Sequence, residues 1–302
     1  MTEESEKRPR WLAILLVLLP LWLILSGAAG IWWFLHREKQ EEIRGQQRFA
    51  RMVSEKSLAD DLRKIVNYIG ERHTSSETAA TGLTRTAAMI EGLLGPSNTG
   101  YTVRRTRGPA NWPLIHVSLP GGNEKSPALW IVTSYDSRPG SPGVEANATG
   151  LAATLAAAQA LAADQPARTV HFAFIPHAND PGSPVADTAA TLSLLLLSSG
   201  PPKLILCVEA MGGSEELLLS SPDNAAIPLQ QTRSLATIRD TPSDAPAGLT
   251  GRLVSQNLPA VRIATRPTPT QDDPDDQLPP PATLAAASGR LIELIRRCAA
   301  AP

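Results

Sequence analysis

Residues 11–35, WLAILLVLLPLWLILSGAAGIWWFL, contain no charged side chain. No other segment constrains the chain as strongly. As a helix this run would extend roughly 37 Å, enough to cross a bilayer with some tilt. A buried helix of a water-soluble fold fits poorly, because the run has no polar face and holds Trp11, Trp22, Trp32 and Trp33. Trp11, Trp32 and Trp33 lie near its ends, where membrane helices place aromatic belts. Pro20 is tolerated in such a helix, since neighbouring groups satisfy the freed backbone. A signal peptide cleaved at SGA (26–28) competes with this reading. It is weakened by the apolar residues that continue through Leu35. The run therefore predicts one uncleaved transmembrane signal-anchor helix. Lys7, Arg8 and Arg10 precede it, and Arg37, Lys39, Arg44 and Arg48 follow, so the positive-inside rule does not set its orientation.

The rest of the chain divides around that anchor. Residues 1–10 form a short polar tail. Residues 36–56, HREKQEEIRGQQRFARMVSEK, read as a charged helical stalk. Residues 57–302 are long enough for one large domain. The formal net charge of −1 and the lack of a basic tract with interleaved aromatics exclude a nucleic-acid partner. The two cysteines, Cys207 and Cys298, lie in apolar surroundings and give neither a disulfide framework nor a CxxC metal pattern. The tract 265–281, TRPTPTQDDPDDQLPPP, is a loop by its prolines and aspartates.

Within 57–302 the pattern alternates. An amphipathic helix is predicted to open at Ser57, and a second covers TAATGLTRTAAMIEGLLG. YTVRRT, PLIHVSLPG, ALWIVTSYD, TVHFAFIPH, KLILCVEAMG, ELLLSS and LPAVRIAT read as strands. NATGLAATLAAAQALAAD, VADTAATLSLLLLSSG and ATLAAASGRLIELIRRCAA read as helices, the first with Asn147 as N-cap. Apolar strands between helices predict an α/β fold. Its mixed, mostly parallel central sheet would be flanked by helices on both faces. Sites in such sheets form beyond the carboxyl ends of the strands. Those ends are 134–137, 177–180, 209–212 and the loop after Thr265.

The motifs at these ends resemble those of the di-zinc aminopeptidases of metallopeptidase family 28, which includes bacterial leucyl aminopeptidases, glutaminyl cyclase and the transferrin receptor. SYDS followed by PGVEANATG is similar to the family's HYDS and PGAxDNASG. PLIHVSLPG, RTVHFAFIPHAND, LCVEAMGG and the stretch from SDAPAGLTG to TPTQDDPDD follow in family order. The resemblance covers about 57–300 and implies a zinc-exopeptidase-like fold.

The same resemblance implies that the chemistry has been lost. The family's first His ligand falls on Ser134 and its bridging Asp on Ala146. The general-base Glu falls on Ala178, a Glu ligand on Asn179, the second Asp on Glu209 and the last His on or near Thr268. Zinc needs imidazole, thiolate or carboxylate donors, and Ser, Ala, Asn and Thr do not replace them. No cofactor and no catalytic residue is expected, although zinc serves the parent family. Asp136 is expected to make loop hydrogen bonds, with His177 and Asp180 as solvated rim residues. A relocated single-metal site would draw on His177, Asp180 and Glu145, with Glu209 and Asp136. The Asn147 sequon is expected to be bare. The resulting expectation is a single-pass membrane protein with an exoplasmic or periplasmic domain. It would be an inactive homologue that binds a protein or peptide partner at the old active-site crevice. The alternative is a divergent metal-dependent hydrolase.

Overall fold

The computed structural model describes residues 18–20, 22, 25–33, 53–123, 125–180, 182, 184–239, 248–267 and 277–300. The chain divides into two compact units, Met1–Arg48 and Phe49–Pro302. In the first, the described residues are helical and exposed. Among the described residues, no helix is long and apolar enough to cross a membrane. The remainder of the 11–35 run, the polar tail and residues 36–52 of the expected stalk lie outside the described residues.

The second unit opens with α1, Glu55–Arg63, ahead of the expected start at Ser57. The reason is local. Ser54 accepts a hydrogen bond from the Ser57 N–H, and the Ser57 hydroxyl reaches back to Ser54, so Ser57 closes a capping box as its N3 residue. A π-helical turn, Lys64–Ile69, continues α1, and α2 spans Glu77–Leu94. β1 (Arg104–Arg107) and β2 (Pro113–Leu119) form an antiparallel pair. The first strand starts later than expected. β3 (Leu129–Ser134), α3 (Thr149–Ala160), β4 (Val170–Ile175), α4 (Val185–Ser198) and β5 (Leu204–Val208) follow. β6 (Leu217–Ser220), a short α5 (Leu229–Thr232) and β7 (Ala236–Ile238) lead to α6 (Leu249–Ser255), β8 (Ala260–Ala264) and α7 (Pro281–Ala300). The elements α5, β7 and α6 are additions to the pattern expected from sequence.

Among the described residues the eight strands form one sheet in the order β1-β2-β4-β3-β5-β8-β6-β7. Strands β4, β3, β5 and β8 run parallel at its centre, and β1, β2 and β6 bring in the antiparallel pairs. The fold is thus α/β with a mixed, centrally parallel sheet, as the pattern of apolar strands and helices implied.

Alternation along each strand sorts the core into two layers. Ile131, Phe172, Phe174, Leu206 and Val261 face α1, α2, α3 and α7. Trp130, Val132, Ala173, Ile175, Ile205 and Cys207 face α4 and α6. Helix α3 is buried nearly all round because α1, α2, α7 and the sheet enclose it, which explains its Ala/Leu composition. Its start presses against the end of β5. A Cβ on Gly150 would meet the Glu209 carbonyl oxygen at 2.1 Å, so only glycine permits this approach.

Candidate functional site

The carboxyl ends of the four parallel strands open on one edge of the sheet, and Asn147 in the turn Val144–Ala148 is hydrogen-bonded to the end of β3 there. One half of the resulting cleft is built around Asp136, just past β3. Its buried carboxylate accepts the backbone N–H groups of Ala178, Asn179 and Asp180 at 2.9, 2.6 and 2.8 Å. Asn179 Nδ2 adds a weaker contact at 3.3 Å. Burial pushes the Asp136 carboxyl up to about 6, against the N–H donors that favour its charged form. Asn147 is also buried. Its amide nitrogen donates to the Asp136 carbonyl and to Ser134 Oγ, and its oxygen accepts from Arg72 at 3.1 Å. The Asn147 sequon is therefore internal, and its amide is engaged on both sides. Ser134 Oγ also accepts from Asn179 Nδ2 at 3.2 Å.

The other half lies at the ends of β5 and β8. Cys207 pairs with Arg262 across these strands, which aims the arginine up the same face towards Glu209. Arg262 Nε donates to Glu209 Oε2 at 2.5 Å, and both terminal nitrogens lie 3.4 Å from the Arg266 carbonyl. Arg266 Nη1 in turn donates to Glu145 Oε2 at 2.5 Å. Thr265 completes the floor by accepting the Gly213 N–H at 2.9 Å and donating to the Ala210 carbonyl.

Sequence reasoning placed Ser134, Asp136, Ala146, Asn179 and Glu209 at one cleft, and the structure brings them to one sheet edge. Thr268 lies outside the described residues. Ala178 packs against the apolar layer of α4 and α6. The residues of the relocated site turn to separate partners: Glu209 to Arg262, Glu145 to Arg266 and Asp136 to backbone N–H groups. His177 and Asp180 are not the solvated rim residues expected, because both are buried. Asp180 accepts the backbone N–H and hydroxyl of Thr74 at 2.7 and 2.8 Å. His177 stands edge-on to Trp112 with ring centroids 6.5 Å apart, and its Nδ1 lies 3.5 Å from Asp180 without hydrogen-bond geometry. Burial lowers its pKa, against the opposing pull of Asp180. Cys207 is a core thiol that burial pushes up to about 12.

Sequence reasoning missed Arg262 and Arg266. The available signal was a lone charge inside the apolar strand AVRIA, which a buried sheet tolerates only with a partner.

The family model described as Peptidase family M28 matches residues 115–177. No curated protein matches the chain. Among solved structures, the Legionella pneumophila LapA aminopeptidase aligns at a TM-score of 0.64 and 12% identity, over 87% of this chain and 75% of that one. A leucine aminopeptidase precursor from Bacteroides thetaiotaomicron gives 0.60 and 14%, over 82% and 98%. A Zn-dependent exopeptidase from Parabacteroides distasonis gives 0.57 and 12%, over 82% and 99%. At such identities the likeness carries the fold and no chemistry. The resemblance to metallopeptidase family 28 stands on the matched segment and the fold together.

The described residues do not fit the zinc that this fold implies. Ala146 has no side-chain donor, and Asn147 beside it is committed to Arg72 and Ser134. Asn179 presents an amide, and Glu209 is held by Arg262. Among the described residues, no three His, Cys, Asp or Glu side chains gather closely enough to hold a metal.

Proposed function

We propose that this chain is a membrane-anchored, non-catalytic relative of the zinc aminopeptidases, and that its cleft binds a peptide or protein partner. One observation carries the reading. At the position matching the family's proton-accepting Glu stands Ala178, whose methyl packs into the apolar layer behind the sheet. No carboxylate there can take a proton from an attacking water. The scaffold around it is retained, with Asp136 tying the ends of β3 and β4 together. A cleft that keeps its walls and lacks its base is suited to recognition.

The anchor in this reading is the 11–35 run, with the domain on the exoplasmic side. Protease added to the cytoplasmic face of inverted vesicles should leave the domain intact, and digestion would reverse the topology. The central test is turnover of aminoacyl-nitroanilides and dipeptides by the full chain, with and without zinc or cobalt. No turnover is expected. Turnover abolished by Glu209→Ala would instead make the protein a hydrolase. For the binding half, Ala146→Arg should abolish recovery of any partner that the unaltered chain captures. Unchanged recovery would place the interface elsewhere.

A further inference from the structure

The disagreement between this fold's zinc and this chain's residues has a definite form. Glu209 stands at a position that matches a family metal ligand, and Glu145 is the neighbour of Ala146, which stands at another. Each meets a guanidinium at 2.5 Å. The arginines are also coupled, since the terminal nitrogens of Arg262 lie 3.4 Å from the Arg266 carbonyl. The quartet carries two negative and two positive charges and sums to zero.

Its seat is built for it. Arg262 comes from inside an apolar strand in fixed register with β5. The stem of Arg266 lies across Gly213, where an added Cβ would come within 2.9 Å of the arginine Cβ. The side chains are 13% and 29% exposed in the Arg262–Glu209 pair, and 32% and 15% in the Arg266–Glu145 pair. Removing either arginine leaves its carboxylate without a countercharge in a partly desolvated seat. A loose surface arginine would meet neither condition.

We infer that Arg262 and Arg266 are tethered cations standing in the electrostatic place of the metals, so that the β5/β8 half of the cleft is charge-balanced and held in shape without a bound ion. The inference deepens the non-catalytic reading of this cleft and rests on it. An arginine supplies charge and hydrogen bonds to a carboxylate, as a cation would. It has no vacant coordination position and no bound water to activate.

The test uses the full chain and a cycle of Arg262→Met, Glu209→Gln and the double variant, followed by thermal unfolding, with Arg262→Lys as the conservative control. Arg262→Met keeps the stem and removes the charge. It should lower Tm by about 5 °C, while Arg262→Lys loses less than about half of that. Adding Glu209→Gln to Arg262→Met should restore at least about half of the loss, because the stranded carboxylate is gone. Strictly additive losses would overturn the inference. Metal analysis of the unaltered chain provides an arm that needs no variant. Well under one zinc per chain is expected, and stoichiometric zinc would show that a metal holds these carboxylates. Turnover alongside an intact Arg262–Glu209 coupling would sink the non-catalytic reading alone. Additive variants without turnover would sink the tethered-cation inference alone.

Discussion

The two halves of the cleft solve the same problem with different materials. At the ends of β3 and β4, the Asp136 carboxylate is satisfied by the backbone N–H groups of residues 178–180. At the ends of β5 and β8, Glu209 is satisfied by the side chain of Arg262, and Glu145 by that of Arg266. Backbone donors are present whatever side chains stand at 178 and 179. That half can therefore carry Ala178 and Asn179, where the family implies two glutamates, without disturbing Asp136. The β5/β8 half has no such reserve. Its carboxylates need a cation, and the chain supplies one in kind for each. Substitution is cheap where the scaffold is backbone and demands compensation where the scaffold is charge.

The comparison breaks most readily at Asp136. Asp136→Ala leaves three N–H groups, one buried and two part-buried, without an acceptor and should cost about 3–5 kcal/mol. In a domain of this size that lowers Tm by roughly 6–20 °C. Asn179→Ala removes only the two amide contacts to Ser134 and Asp136 and should cost about 1 kcal/mol. Similar losses for the two variants in denaturant unfolding would mean that the side chain, and not the backbone, supports this half.

A second test uses pH and reaches the far layer of the sheet. His171 stacks on Trp130 with centroids 4.1 Å apart, and burial pushes it down from 6.5 to about 4. Between those values the unfolded chain binds a proton that the folded chain refuses. Its contribution to stability is thus complete above pH 6.5 and lost as pH falls towards 4. His116 and His177 are lowered by burial and act in the same direction. Asp136 opposes them. Its carboxyl is raised from 3.8 to about 6, so its contribution is present below 3.8 and lost as pH rises through 6. From pH 6.5 to 4 His171 should lower wild-type stability by at most about 3 kcal/mol, with Asp136 offsetting part of that fall. His171→Phe keeps the stacking surface and should flatten the profile. An unchanged slope would remove His171 from the account.

Much of this architecture is legible in the amino-acid order. The runs LWIVTS, VHFAFI and LILCV have the continuous apolar character of strands buried on both faces, and they form the centre of the sheet. The rule that sites lie beyond the carboxyl ends of such strands located Ser134, Asp136, Asn179 and Glu209 together. Strand β7 was missed because its three residues, Ala236–Ile238, are too few to show alternation. The ion pairs were missed for a different reason. Arg262 and Glu209 are distant in sequence, and only the β5/β8 register reveals that they share a face. The burial of His177 and Asp180 was also hidden. It depends on Trp112 and Thr74, which arrive from elements far along the chain.

The smallest predicted effect is a control on the comparison itself. Arg296 Nε and Asp164 Oδ2 lie 2.7 Å apart and link α7 to the turn after α3. The groups match those of the Arg262–Glu209 pair, an arginine Nε on a carboxylate oxygen. The carboxylates are about equally exposed, 29% for Glu209 and 30% for Asp164, so the pairs differ in the arginine, 13% exposed in the cleft and 46% exposed on α7. Water screens the Arg296 guanidinium more fully than that of Arg262. Such pairs contribute roughly 0.2–1 kcal/mol. Arg296→Met should therefore lower Tm by about 4 °C at most, less than the loss expected for Arg262→Met. Raising salt from low to molar concentration should erase even that difference, because the screening length contracts to about 3 Å. If Arg296→Met and Arg262→Met cost the same, the cleft arginine is worth no more than a surface ion pair. The division between a backbone half and a charge half would then lose its energetic basis.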